Sequence, residues 1–388
     1  MIIQGADRLK DVSEYYFSRK LEQIRQMNLH GEHVINLGIG SPDLPPSSAT
    51  IDAAVQALHN PHGHGYATHR GTPELRSAIT RFYDEVYGVD LNADSEVLPL
   101  LGSKEGILYL SLAFLNPNDE VLVPNPGYAA YAAITKMVGA KVRYFDLDES
   151  KAWWPNLEEL EKSDLSRVKM MWVNYPNMPT GARASRSLFE QLIAFGKRHS
   201  ILICHDNPYS LVLNTEKPLS LLDFDLDRST AIELNSFSKS FNMAGWRVGM
   251  LLGPKQAIDM TLQMKSNVDS GMFLTIQFAS IRALANPLSW HRERNETYAA
   301  RRAQVFEIFE ALEFSIDPNQ VGLFVWAKAP DRISSVEGRL DEILSDYKVF
   351  LTPGFIFGSR GERYARASLC ADTQALSEAL ARVSRRRK

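Results

Sequence analysis

Between residues 97 and 252 the chain alternates short β-rich runs with helical patterns, and this alternation restricts the fold more than any other feature. The runs fall at 97–101, 120–123, 141–145, 168–174, 201–205, 231–234 and 248–252, with helical stretches such as 128–138 and 187–199 between several of them. Helical crossovers join strands that run the same way, so the pattern predicts a largely parallel sheet covered on both faces. Thr72-Pro73-Glu74 opens a helix with a capping hydroxyl, a proline in the first turn and an acid behind it. Leu75, Ile79, Phe82 and Val86 then share one face until Gly88 stops it. Past about residue 285 the pattern changes to longer helices with a few strands, one at 322–327. A helix at 12–27 is expected to join that C-terminal part as a smaller domain. The expected division is 1–50 for the N-terminal helix and loop, 51–285 for the large domain and 286–388 for the C-terminal small domain.

Composition narrows the function classes. A chain of 388 residues predicts about two domains, and a net charge of −3 lacks the footprint of a polyanion binder. Arg382 to Lys388 hold five cations, read as a solvated helix end in preference to a nucleic-acid tail. Two cysteines, Cys204 and Cys370, are too few for a disulfide framework and lack zinc spacing, which predicts a cytoplasmic setting. His59, His62, His64 and His69 lack accompanying carboxylates or thiols, so no metal is expected. Asp7, Arg8, Lys10 and Asp11 interrupt any signal-like apolar stretch, and 107–115 is too short to span a bilayer, so no membrane partner is expected.

Functional groups in parallel sheets collect beyond the carboxyl ends of strands. Three polar clusters fall at such ends: Gly102-Ser103-Lys104, Asp206-Asn207-Pro208-Tyr209 and Ser236-Phe237-Ser238-Lys239. Gly102-Ser103 at a helix start offers free backbone N–H groups and a hydroxyl to an anion. Ser236, Ser238 and Arg247 form a hydroxyl and guanidinium set suited to a phosphate monoester. Lys239 among them could be a loop amine, or a buried amine with a lowered pKa able to form Schiff bases.

The segment Ser236-Phe237-Ser238-Lys239 through Gly245-Trp246-Arg247 resembles the cofactor-lysine signature of the class I/II aminotransferases, pyridoxal 5′-phosphate enzymes of fold type I. The resemblance runs from about Leu37 to Arg366. It implies a large domain built on a mostly parallel seven-stranded sheet flanked by helices, plus a smaller α+β domain from both chain ends. It further implies that Lys239 carries pyridoxal 5′-phosphate as an internal aldimine, while Gly102, Ser103, Ser236, Ser238 and Arg247 bind the phosphate, with Lys104 beside them. Asp206 would pair with the pyridinium nitrogen, Tyr209 would bond the phenolic oxygen and Tyr128 would stack on the ring. Tyr66 would reach the phosphate of a neighbouring subunit, which makes a homodimer the expected assembly. Arg366 would grip the substrate α-carboxylate, helped by backbone near Gly40 in Gly38-Ile39-Gly40-Ser41-Pro42-Asp43. That loop fails as a dinucleotide fingerprint, because Asp43 stands where the third glycine belongs.

One departure stands out. The family usually places asparagine before Pro-Thr-Gly, with its amide on the phenolic oxygen; here Asn174-Tyr175-Pro176-Asn177-Met178-Pro179-Thr180-Gly181 places Met178 there. A thioether cannot donate that bond. Asn177 or Asn174 is expected to reach the oxygen, or else Tyr209 serves largely alone. The implied reaction is ping-pong transfer of an α-amino group between an amino acid and a 2-oxo acid. A carbon–sulfur β-lyase shares the same first step, and a cofactor-sensing regulator is a third reading, disfavoured by the roughly 36 residues before Leu37. The segment Gly322-Leu323-Phe324-Val325-Trp326 and the Trp153-Trp154 pair are candidate pocket walls, with core packing the alternative.

Overall fold

The computed structural model describes residues 3–6, 9 and 16–385. Its principal sheet holds β1 (Val97–Leu100), β2 (Glu120–Asn125), β3 (Lys141–Asp146), β4 (Val168–Asn174), β5 (Leu202–Asp206), β6 (Ala231–Ser236) and β7 (Gly249–Leu252). The spatial order is β1-β7-β6-β5-β4-β2-β3. Neighbours from β6 through β3 pair in parallel, whereas β7 is antiparallel to both β6 and β1. Between β6 and β7 stand only the four-residue helix Phe237–Ser240 and a 3-10 turn, Ala244–Trp246, in place of a full crossover, so the chain returns in the opposite direction.

Apart from the half-exposed edge strand β3, both faces of this sheet are dry, which is why its central strands read as continuous apolar runs. Along β4, Met170 and Trp172 meet Ile107 and Leu110 of the helix Ser103–Phe114, while Met171 and Val173 join Phe189 and Leu192 of the helix Arg186–His199. The helix Pro73–Tyr87 forms as its sequence indicates. Thr72 Oγ1 accepts from the Leu75 N–H, and Gly88 ends the helix at φ +75°, where glycine alone escapes the Cβ clash.

A second, antiparallel sheet joins Thr352–Pro353, Tyr364–Ser368, Phe324–Lys328 and Ser315–Ile316. The long helix Leu288–Ala311 and the helices Val336–Tyr347 and Thr373–Val383 belong to the same part of the chain. The N-terminus is tied to it: Ile35–Asn36 pairs in parallel with Val349–Phe350, and Phe17 and Ile24 of the helix Tyr16–Leu29 pack on Leu344 and Phe350. The expected start of that helix at residue 12 lies outside the described residues, as do the last three residues of the basic C-terminal run. Among the described residues, no helix is long and apolar enough to cross a membrane.

Candidate active site

The carboxyl ends of β1, β2, β4, β5 and β6 open onto one cavity of about 420 Å³. Ser103 and Lys104 enter it from β1, Tyr128 from β2, Asn174 and Met178 from β4, Asp206 and Tyr209 from β5, and Ser236, Ser238 and Lys239 from β6. Gly38 to Ser41, Phe324, Phe357 and Arg366 close it from the side of the second sheet.

Lys239 points its amine at the Gly40 carbonyl oxygen. Burial lowers its pKa to about 8; Arg366 and Arg247 push the same way, while Cys370 opposes them. Among the described residues no carboxylate pairs with it, so a large share of the amine is neutral near pH 8, as a nucleophile or proton acceptor requires. Asp206 behaves in the opposite sense. Burial, with a smaller push from the Glu233 charge, raises its carboxyl to about 6, against the hydrogen bond from Tyr131 and the charge of His205, which both favour the anion. Tyr131 donates to Oδ2 at 2.8 Å, and Oδ1 is buried with no partner among the described residues.

Beside Lys239 lies a cradle for an anion. Ser236 Oγ accepts from the Ser238 N–H at 3.2 Å, and Arg247 Nη1 sits 3.5 Å from Ser238 Oγ while donating to the Ala244 carbonyl at 2.9 Å. Gly102 caps the helix Ser103–Phe114 at φ +92°, and a Cβ there would lie 2.2 Å from Arg247 Nη2. Glycine is what lets the guanidinium approach the unpaired N–H groups of that helix start.

Arg366 is buried on the facing side. Its Nη2 donates to the Gly38 carbonyl at 2.9 Å, and its guanidinium carbon lies 3.9 Å from the Phe324 ring centroid and 4.6 Å from that of Phe357. Apolar rings around a guanidinium keep water away and strengthen its grip on a carboxylate. Tyr209 is buried against Phe324, and burial pushes its phenol well up, so it stays a proton donor.

These residues fit pyridoxal 5′-phosphate on structural grounds alone. A buried carboxylate oxygen awaits a donor, a cationic cradle awaits an anion, and a partly neutral lysine stands between them. The family described as aminotransferase class I and II matches residues 32–383. The chain belongs to this family. LL-diaminopimelate aminotransferase of Dehalococcoides mccartyi is 36% identical over 378 residues, covering 97% of each chain. The enzyme of the same name from Maridesulfovibrio salexigens is 38% identical over 382 residues, 98% of each. Among solved structures, substrate-bound BacF from Bacillus subtilis superposes with a TM-score of 0.93 at 34% identity, covering 99% of this chain and 98% of that one. The protein is therefore a pyridoxal 5′-phosphate-dependent aminotransferase. Neither the lyase nor the regulator reading finds support among these relatives.

Several sequence expectations need correction. Asn177 does not reach the cavity: its Nδ2 donates to the Asn174 carbonyl, and its Oδ1 accepts from the Thr180 hydroxyl at 2.8 Å, closing its own turn. Asn174 does line the cavity, with its Nδ2 donating to the Asp206 carbonyl oxygen at 2.6 Å and its Oδ1 accepting from the Met178 N–H at 2.7 Å. Trp153 packs on Tyr364 and Trp154 donates to the Arg183 carbonyl, so neither shapes this cavity. Tyr66, expected at a neighbouring subunit's phosphate, is not among these corrections: it is 93% exposed and lies outside the cavity of its own chain. Sequence reasoning missed Tyr131, whose signal was its place three residues after Tyr128 on a helix ending over the sheet. It also missed Phe17 and Phe357, which are distant in sequence from every motif.

Proposed function

We propose that the chain transfers the α-amino group of an amino acid to a 2-oxo acid, with Lys239 carrying the proton. The observation that carries this reading is the orphan Oδ1 of Asp206 in the same cavity as the depressed amine of Lys239. When bound, pyridoxal 5′-phosphate supplies a carbonyl that links to amines and a ring that accepts electrons from the α-carbon. Gly102, Ser103, Ser236, Ser238 and Arg247, with Lys104 beside them, hold its phosphate. Asp206 Oδ1 would accept from the ring nitrogen, Tyr209 would donate to the phenolic oxygen, and Tyr128 would stack on the ring.

Arg366 holds the substrate α-carboxylate with the backbone near Gly40. Lys239 Nζ takes the α-proton as general base and returns it on the other side of the exchange. The Phe17, Phe324 and Phe357 rings exclude water, so that proton is kept from solvent. Tyr66, exposed here, reaches the phosphate of a second copy in a cytoplasmic homodimer; the two thiols are unpaired, as a reducing compartment favours.

For the donor, we infer an amino acid with an extended, largely apolar side chain, because Phe17, Leu21 and Ile39 line the same cavity as Arg366. The similarity to LL-diaminopimelate aminotransferases places that amino acid in the first test set. Borohydride reduction followed by digestion is expected to yield a pyridoxyl-modified peptide containing Lys239. Lys239→Ala is expected to abolish turnover. A panel of LL-diaminopimelate, methionine, phenylalanine and aspartate against 2-oxoglutarate and pyruvate identifies the pair. Substantial transamination by Lys239→Ala overturns the assignment.

A further inference from the structure

Behind the cavity, on the far side of β5, lies a dry polar cluster that the reaction as described does not use. Its centre is the pair His205–Glu233, both side chains fully buried, with Nδ1 2.8 Å from Oε2. The other ring nitrogen, Nε2, is 2.9 Å from the Tyr175 carbonyl oxygen. A carbonyl has no proton to give, so Nε2 carries one.

The second ring proton follows from the surroundings of Glu233. Its Oε1 accepts from the Tyr83 hydroxyl at 2.8 Å and Asn207 Nδ2 at 3.1 Å; its Oε2 accepts from the Ser220 hydroxyl at 3.0 Å and the Leu221 N–H at 2.9 Å. Tyr83 in turn accepts from Asn235 Nδ2, which leaves its own hydrogen for Glu233. Four donors besides the imidazole address this carboxyl group, an arrangement that stabilises the anion. Burial opposes that, yet His205 and these donors hold Glu233 below the usual carboxylate range. With Glu233 anionic and both ring nitrogens facing acceptors, His205 is an imidazolium. The groups facing it are Glu233 from β6, the Tyr175 carbonyl, the Phe189 ring from the helix Arg186–His199, and its neighbour Asp206.

We propose that His205 is a positioning residue held as an imidazolium by Glu233 and the Tyr175 carbonyl, and that its charge, opposed by that of the more distant Glu233, favours the ionised form of Asp206 for the cofactor ring. The second half rests on Asp206 as the ring-nitrogen partner. The first half does not depend on the cofactor. The cluster also ties β4, β5 and β6 together, because His205 faces the Tyr175 carbonyl just beyond β4 and Glu233 of β6, which also accepts from Asn207 just beyond β5.

The test starts with the unaltered protein, selectively ¹⁵N-labelled at histidine, with and without cofactor. Long-range ¹⁵N–¹H spectra are expected to show one ring with both nitrogens protonated at pH 9, where an ordinary histidine is neutral. Its signal is absent in His205→Gln. In the near-isosteric Glu233→Gln, the same ring is expected to lose one proton at neutral pH. In loaded His205→Gln, the acid limb of the kcat profile is expected to move up by about one to two pH units, with KM for the amino donor little changed. A ring that is neutral below pH 8 in the unaltered protein overturns the imidazolium, whether or not the cofactor binds. A protonated ring with an unmoved acid limb overturns its action on Asp206 and reduces the pair to a structural tie. If neither variant folds, the spectra of the unaltered protein still decide the charge, and a proton lost only above pH 9 supports it.

Discussion

Tyr131 donates its phenolic hydrogen to Oδ2 of Asp206 across 2.8 Å, while its ring stacks on Trp172 at 4.9 Å and 4°. The stack fixes the phenol, and the phenol leaves one lone oxygen of Asp206 for the cofactor. Tyr131→Phe keeps the stack and removes the donor. A hydrogen bond to a buried charge is worth about 1.5–3 kcal/mol. The acid limb of kcat against pH is therefore expected to rise by about one to two units, with KM nearly unchanged. An unmoved limb would show that the phenol does not set the Asp206 charge.

Asp206 illustrates a site that costs stability. Its carboxyl titrates at about 6 in the fold, against an ordinary 3.8. The folded chain thus binds this proton more tightly than the unfolded chain does. The contribution of this group to stability is highest below about pH 4, falls as the pH rises to about 6, and stays low above it. Asp206→Asn still offers Tyr131 an acceptor and carries no charge. Urea unfolding of the cofactor-free variant at pH 8 is expected to show a gain of about 2–3 kcal/mol, which vanishes toward pH 4, while transamination collapses.

Gly102→Ala tests the anion cradle. The new methyl would stand 2.2 Å from Arg247 Nη2, so the guanidinium must move. The φ of +92° adds backbone strain. Affinity for pyridoxal 5′-phosphate, read by quenching of tryptophan fluorescence, is expected to fall about tenfold or more, equivalent to about 1.4 kcal/mol. Binding as tight as in the unaltered protein would place the phosphate elsewhere.

Met178 lies with its sulfur 3.2 Å from Arg366 Nη1, and it offers the phenolic oxygen no proton. Met178→Asn supplies an amide at that point. The visible-absorbance pKa of the lysine-bound cofactor is expected to drop by about one unit in a spectrophotometric titration. No change would mean that Tyr209 already satisfies the oxygen.

Asp43 and Arg301 form a two-pronged ion pair at 2.7 and 2.8 Å that anchors the loop carrying Gly38 and Gly40. The guanidinium is nearly buried, so the pair is worth more than a surface bridge. Asp43→Asn is expected to raise KM for amino donors about three- to tenfold, with a smaller change in kcat. A change confined to kcat would separate this loop from substrate binding.

Much of the site was legible because its residues sit beside strand ends that the alternation of runs already marks. Ser236, Ser238, Lys239 and Arg247 lie within one short segment, so their convergence needs only a tight turn. Asp206 follows a buried strand directly, and an acid there is visible as a break in an apolar run. Tyr131 was not legible, since a tyrosine on a helix reads as core packing until the facing strand is known. Asn177 was misplaced because its own turn, closed by Thr180, satisfies the amide that the sequence left available.

The sequence by itself determined the alternating architecture, the phosphate and lysine cluster and the helix ends, because these follow from hydrophobic period, capping chemistry and neighbours a few residues apart. Only the tertiary structure decided which charges meet. His205 finds Glu233, Asp43 finds Arg301, and Arg366 finds its ring of phenylalanines through contacts between residues far apart in the chain. Burial then sets the chemistry, since the same aspartate or lysine in water would keep its ordinary pKa.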